Sequence, residues 1–410
     1  LSPVASAFHR RRLLQGSATL GGLGLFGLGG CAVTGAPLAG TSTGAMGAPA
    51  PSRSYTPLAP VRADRDRIFD VTVCLRPFRA AGPRLDTEEI GEAFVVHNYG
   101  HGGSGWSLSW GSGTIAVGKA MSRSPRKIAV IGCGALGLTA AILAQRAGAE
   151  VTIYAKELLP QARSARATGS WTPDSRIALT DVAGPAFGDL WEEMARTSFK
   201  AYRNYLGLPG KPVEWTDRYS VNDEAHPGHE PPKPGDLDFG EYSDRIRDLT
   251  PRWEAMAPGS TPFQAPFVRR TSSMQFNIAD YGHTLMSDFL LAGGKIERRE
   301  FHTPADIAAL PEKVVINCPG YGGRALWKDE SIVPVRGQIQ WLIPQPEVNY
   351  GVFYKDVSVL SRTDGIVVQA VEGGDMKGYK TETETPDRGE VDRAVAVVAE
   401  LYGSRFSARG

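Results

Sequence analysis

The run Lys127-Ile-Ala-Val-Ile-Gly132-Cys133-Gly134-Ala-Leu136-Gly137 constrains the fold of this 410-residue chain more than any other segment. A short apolar strand enters a G-x-G-x-x-G turn, Leu138 to Ala147 supply good helix formers, and Gly148 stops the helix. Val151 to Tyr154 form a second strand, which completes a βαβ unit and makes the chain α/β. Gly132 permits the tight turn, Gly134 lets the backbone approach a pyrophosphate, and Gly137 lets helix pack on strand. Cys133 and Leu136 complete the cradle, at a helix N-terminus where dipole and free N–H groups favour an anion. With both strands and the helix in place, the motif says more than its spacing alone. One element departs. The carboxylate that usually closes the second strand for a ribose is replaced by Lys156, with Glu157 one position later.

Upstream, His97-Asn98-Tyr99-Gly100-His101-Gly102-Gly103-Ser104-Gly105-Trp106-Ser107 packs its glycines ahead of a run, Trp106 to Met121, that can form a helix. Such a loop brings backbone close to a bound ring and aims free N–H groups at its electron-rich edge. His97 and His101 share no face on a glycine loop, so metal binding is not expected there. Further segments carry chemistry. Ser164-Ala-Arg-Ala-Thr168-Gly169-Ser-Trp171-Thr-Pro173 is a hydroxyl-bearing turn after the second strand. Val314 to Gly323 reads as a buried strand and glycine turn, and Val333-Pro-Val-Arg-Gly-Gln338 follows shortly after. Cys74-Leu75-Arg76-Pro77-Phe78-Arg79 ends an apolar strand from Phe69, so proline and strand together position Arg76.

Taken together these segments resemble the D-amino-acid oxidase family, densely in the motifs and thinly between Asp181 and Val268. The resemblance implies FAD as cofactor, held by Gly102, Gly103, Ser104, Gly105, Trp106 and Ser107 on the glycine loop. It also implies the fingerprint residues, Lys156, and Ser164, Thr168, Gly169 and Trp171 on the turn. Arg76 would clamp the substrate α-carboxylate, a task suited to a planar fork that makes two parallel hydrogen bonds. Tyr354 would take the first of the family's two pocket tyrosines, while Val357 or Ser358 stands where the second falls. The Glu372–Lys377 stretch has no extra arginine, and Asp375 would repel an acidic side chain, so a neutral or basic D-amino acid is expected.

In the family the fingerprint comes first. Here Arg76 and the glycine loop precede it, so the motif order is that of a circular permutation. The expected fold is a Rossmann-like FAD-binding domain, residues 77–176 plus 262–333, with a mixed-sheet α+β substrate domain, residues 61–76 plus 177–261 plus 334–410. The helix from Arg388 to Tyr402 would then lead in space to the strand near Phe69.

Residues 1–31 read as a signal, with Arg10-Arg11-Arg12 as a twin-arginine pattern and Leu28-Gly29-Gly30-Cys31 as a lipobox. A cleaved signal with an incidental cysteine is the plainer alternative. Residues 32–60 are rich in Ala, Gly, Ser, Thr and Pro and read as a flexible linker. Either signal implies export to the periplasm, and the lipobox reading adds lipid anchoring at Cys31. The 45 basic and 44 acidic residues carry no signature of nucleic-acid binding. Cys74, Cys133 and Cys318, on apolar segments, read as buried free thiols. The expected reaction is hydride transfer from an amino acid to FAD, with oxygen as acceptor. A quinone-linked dehydrogenase ranks second and a non-catalytic amino-acid binder third. A nicotinamide dehydrogenase would leave the glycine loop unexplained.

Overall fold

The computed structural model describes residues 57–225 and 235–407. The signal, Cys31, most of the linker and the Pro/His-rich loop at 226–234 lie outside the described residues. Two mixed sheets organise the rest. The six-stranded sheet runs Thr87–Ile90, Ala93–His97, Val314–Asn317, Lys127–Ile131, Glu150–Ala155, Lys295–Arg298 in spatial order, parallel except for its first strand. The fingerprint strand Lys127–Ile131 sits inside it, buried at all but its first residue as an interior parallel strand requires. On it pack the fingerprint helix Ala135–Arg146 and the loop helix Gly105–Met121.

The eight-stranded sheet runs Ile68–Phe78, Val333–Leu342, Gly365–Ala370, Val357–Arg362, Tyr350–Tyr354, Val213–Asn222, Phe267–Phe276, Glu254–Ala255. The strand that carries Arg76 is its edge, paired antiparallel along Val333–Leu342 with Cys74 opposite Gly337. One face is covered by the C-terminal helix Arg388–Ser404, whose Val391, Val395 and Val398 pack on Val352, Val359 and Val368.

Two domain assignments change. The strand Phe267–Phe276, expected within the FAD-binding portion, pairs over its whole length with Val213–Asn222 in the larger sheet. The helix Phe187–Tyr202, expected in the substrate portion, packs on the loop helix. Its Ser198 hydroxyl accepts from the Gly111 N–H at 2.8 Å. A Cβ at Gly111 would lie 2.1 Å from the Met194 carbonyl oxygen, so the helices touch backbone to backbone. The helix lies in the stretch where motifs are thin and the strand begins at its end, and the packing of both depends on distant partners.

Candidate active site

Two adjoining cavities run along the carboxyl end of the fingerprint strand, the position where open α/β sheets bind ligands. The first, about 400 Å³, is lined by Gly132, Cys133, Gly134, Lys156, Glu300 and Tyr321 among others. The second, about 150 Å³, is lined by Arg76, Gly102, Gly103, Gly105, Trp106 and Thr168 among others. Leu136, Arg163 and Ser164 line both, so one cleft passes from the fingerprint to the glycine loop.

The glycines are required by close packing. Gly132 has φ +100°, and a Cβ there would lie 2.4 Å from the Cys318 carbonyl. A Cβ at Gly134 would lie 2.6 Å from Ser164 Oγ, which accepts from the Ala135 N–H at 3.1 Å. On the other wall Gly102 donates to the Pro77 carbonyl and Gly103 to that of Ser175, each at 2.9 Å. Trp106 Nε1 donates to the Ser164 carbonyl at 2.8 Å, which ties the glycine loop to the hydroxyl turn.

Arg76 is the notable charge. Its guanidinium lies against the Gly337 backbone, where a Cβ would come within 2.6 Å of it. No hydrogen bond or ion pair of its side chain is found among the described residues, although burial lowers its pKa. A desolvated, uncommitted arginine facing a cavity is suited to an anion. Arg176 lies close enough for Arg76 to contribute to its lowered pKa, after burial. Arg176 is itself committed, to the Gly374 and Asp375 carbonyls at 2.7 and 2.8 Å and to the Asp375 carboxylate at 3.2 Å. Asp375 is therefore ion-paired, which removes the repulsion expected of it from the sequence.

Other expected residues take different places. Tyr354 does not line the cleft. Its hydroxyl donates to Glu400 Oε1 at 3.0 Å, and its ring lies in the core beneath the C-terminal helix. Strand alternation explains this, because Tyr350, Val352 and Tyr354 share that face while Phe353 takes the other. Ser358, directly opposite Phe353, faces away from Tyr354 as well. Trp171 packs its ring against Phe199, 5.4 Å between centroids, and also leaves the cavity wall. Ser104 and Ser107 are buried pins. The first donates to the Ser175 carbonyl at 3.1 Å and the second accepts from the Thr172 N–H at 2.9 Å. Gly137 and Gly169 likewise act through packing, against the carbonyls of Gly132 and Phe276. Lys156 stays at the first cavity and pairs with Glu300 at 2.7 Å. Neither Glu300 nor Arg163 was singled out from the sequence. Arg163 stands next to Ser164 and could have been. Glu300 follows a strand whose position depends on sheet pairing.

Behind the glycine loop, Asn317 Nδ2 donates to His97 Nδ1 at 3.1 Å, so His97 Nε2 donates to Glu88 at 3.0 Å. Trp327 and Arg84 also reach Glu88. His101, on the loop itself, is pushed down to about 3, first by burial and then by the Arg79 cation. The unfolded chain takes up a proton below about pH 6.5 that the folded chain refuses. Stability should therefore fall as pH drops from about 6.5 toward 3, by about 1.4 kcal/mol per pH unit from this group. Urea midpoints at pH 7 and pH 5 check this, since His101→Gln should lose less on acidification than the wild type. Equal losses would contradict a neutral, buried His101.

The family model for FAD dependent oxidoreductases matches residues 127–409. The chain belongs to that family, and FAD is its cofactor. It is 30% identical over 217 residues to a protein named D-amino-acid oxidase from Dictyostelium discoideum, covering 51% of this chain and 55% of that one. A D-amino-acid oxidase of Streptomyces coelicolor is 26% identical over 219 residues, covering 52% and 58%. The chain thus spans about half the length of the curated relatives it matches. Among solved structures, glycine oxidase from Geobacillus kaustophilus aligns with a TM-score of 0.45 and 13% identity, covering 69% of this chain and 81% of that one. The residues present fit FAD: a glycine cradle at a helix N-terminus, continuous with a second glycine wall and an uncommitted arginine.

Proposed function

We propose that this chain catalyses FAD-dependent oxidative deamination of a neutral or basic D-amino acid. The observation that carries the proposal is the uncommitted guanidinium of Arg76 in the cavity that also meets the glycine loop. Gly132, Gly134 and the first turn of the Ala135–Arg146 helix would hold the pyrophosphate. Gly102–Trp106 would hold the ring system, and Lys156 and Glu300 lie at the far end of the cleft. Bound FAD supplies a two-electron acceptor for hydride from the substrate Cα.

Arg76 holds the α-carboxylate and so fixes which Cα–H faces that acceptor. No general base is required at the α-carbon. The backbone N–H groups at the start of the Gly105–Met121 helix would face the ring edge and would favour negative charge there. The imino acid leaves and hydrolyses to a 2-oxo acid and ammonia, while oxygen is reduced to hydrogen peroxide. An acidic side chain finds no second free arginine in the cavity, because Arg163 and Arg166 share Glu384 at 2.6 and 3.5 Å.

Two further readings belong to the proposal. The motif order is a circular permutation, supported by Tyr350, whose hydroxyl donates to the Ala59 carbonyl at 2.7 Å and lies 2.9 Å from that of Tyr402. Export by the Arg10–Arg12 signal, with attachment at Cys31, rests on the sequence. Product analysis tests the reaction: equal yields of 2-oxo acid, ammonia and peroxide from D- but not L-amino acids are expected. Turnover only with an added quinone, without peroxide, would replace the oxidase by a dehydrogenase.

A further inference from the structure

The two cavities of the FAD cleft share a roof, and a carboxylate from a distant segment of the chain holds it down. Arg163, Gly320 and Tyr321 line both cavities, and the Arg163 guanidinium lies over the Tyr321 ring, 5.5 Å from its centroid. That contact joins the turn after the second fingerprint strand to the glycine turn after Val314–Asn317. Arg163 Nε has no hydrogen-bond partner among the described residues. The one side-chain hydrogen bond found for this residue there runs from Nη2 to Glu384 Oε1 at 2.6 Å. Glu384 Oε2 lies 3.5 Å from Arg166 Nη1, so a single carboxylate bridges both arginines of the turn.

The loop that carries Glu384 is fixed. Arg336 donates to the carbonyls of the residues on either side of it, Thr383 and Thr385, each at 3.0 Å. Three residues on, the Asp387 backbone exchanges hydrogen bonds with the Gln338 side chain at 2.7 and 3.0 Å. The carboxylate is thus aimed at the turn, which spares the bridge much of the ordering cost that makes surface pairs weak. Glu384 itself lines neither cavity of the FAD cleft, so it acts there through the arginines.

We infer that Glu384 is a clasp on the FAD cleft, whose bridge to Arg163 and Arg166 must open for the cofactor to enter or leave. The inference rests on FAD as cofactor and goes beyond the choice of substrate. A cofactor that spans both cavities passes beneath the Arg163–Tyr321 contact. The Arg163 and Glu384 side chains are 39% and 37% exposed, so salt reaches the bridge and weakens it. A clasp that touches no part of the cofactor sets the barrier in both directions and leaves affinity nearly alone.

The test uses the FAD-containing full chain. Release is followed by the flavin fluorescence regained after dilution, and Kd is read at equilibrium over a dilution series. Glu384→Gln should speed release about fivefold, the scale of a half-exposed ion pair, with Kd within about twofold of wild type. Wild-type release should quicken about threefold between about 20 and 500 mM salt, and release from the variant should not. Arg336→Gln frees the loop but keeps the carboxylate, so its rate should be intermediate and still respond to salt. Glu150→Gln breaks another arginine–carboxylate pair, with Arg126 at the opposite end of the fingerprint strand, and should match the wild type. Unchanged release in Glu384→Gln, a Kd that rises in step with its release rate, or equal salt responses in the two proteins would each overturn the clasp.

Discussion

Arg76→Met should lower kcat/KM for D-amino acids by about two to three orders of magnitude while FAD stays bound. The expectation follows from the state of this side chain. It is desolvated, lies flat on the Gly337 backbone, and makes no ion pair among the described residues. A carboxylate arriving there gains two charge-assisted hydrogen bonds in a site where water competes poorly. Removing one partner of such a buried pair costs about 2–5 kcal/mol, and every 1.4 kcal/mol is tenfold. Arg76→Lys should fall between the two, since an ammonium offers a point charge rather than a fork. Single-turnover reduction measured against substrate concentration checks this, with the visible spectrum as the control for bound FAD. A variant as active as the wild type would remove Arg76 from the mechanism.

Gly137→Ala should have the other large effect, on cofactor binding and stability together. A Cβ at Gly137 would lie 1.9 Å from the carbonyl oxygen of Gly132. Both groups belong to backbone, so no rotamer change relieves the contact. The fingerprint helix must move away from its strand, which spoils the anion site at its N-terminus and overpacks the core. Overpacking alone costs about 1–3 kcal/mol. The purified variant should carry little FAD and melt earlier, as absorbance ratios and thermal denaturation would record. Gly118→Ala is the matched control. Its Cβ meets nothing within 4 Å on the exposed side of the Gly105–Met121 helix, so it should stabilise by about 0.5–1 kcal/mol.

Much of the site is local in the chain, which is why it could be read there. The fingerprint is a strand, a turn and a helix in one uninterrupted run. The glycine loop leads directly into its helix, Gly105–Met121. Arg76 stands at a proline-marked strand end. In each case the residue and the element that positions it are neighbours in sequence. What escaped depends on distant partners. Tyr354 and Phe353 are neighbours on one strand, and only sheet pairing decides which of them that strand turns to the C-terminal helix. Trp171 follows a turn whose exit is fixed when its N–H donates to Met274, about a hundred residues on. The helix Phe187–Tyr202 carries a clear apolar stripe, yet nothing local says that its partner is the loop helix. Asp375 reads as a free acid until Arg176 is placed beside it.

The circular permutation proposed above has a physical rationale in the fold. The strand with Arg76 lies at the sheet edge, and Arg65 just before it is bonded to Asp392 on the C-terminal helix. Ala59 is tied through Tyr350 to Tyr402 near that helix's end. Ends this close make a change of chain order inexpensive, because few backbone hydrogen bonds must be redirected.

The most direct measurement is an anaerobic spectrophotometric titration of the purified, FAD-containing protein with matched D- and L-amino acids. The account predicts that D-amino acids bleach the flavin bands with one equivalent per flavin, that L-amino acids do not, and that air restores the colour. Flavin bands that no D-amino acid bleaches, or that L-amino acids bleach equally well, would contradict it.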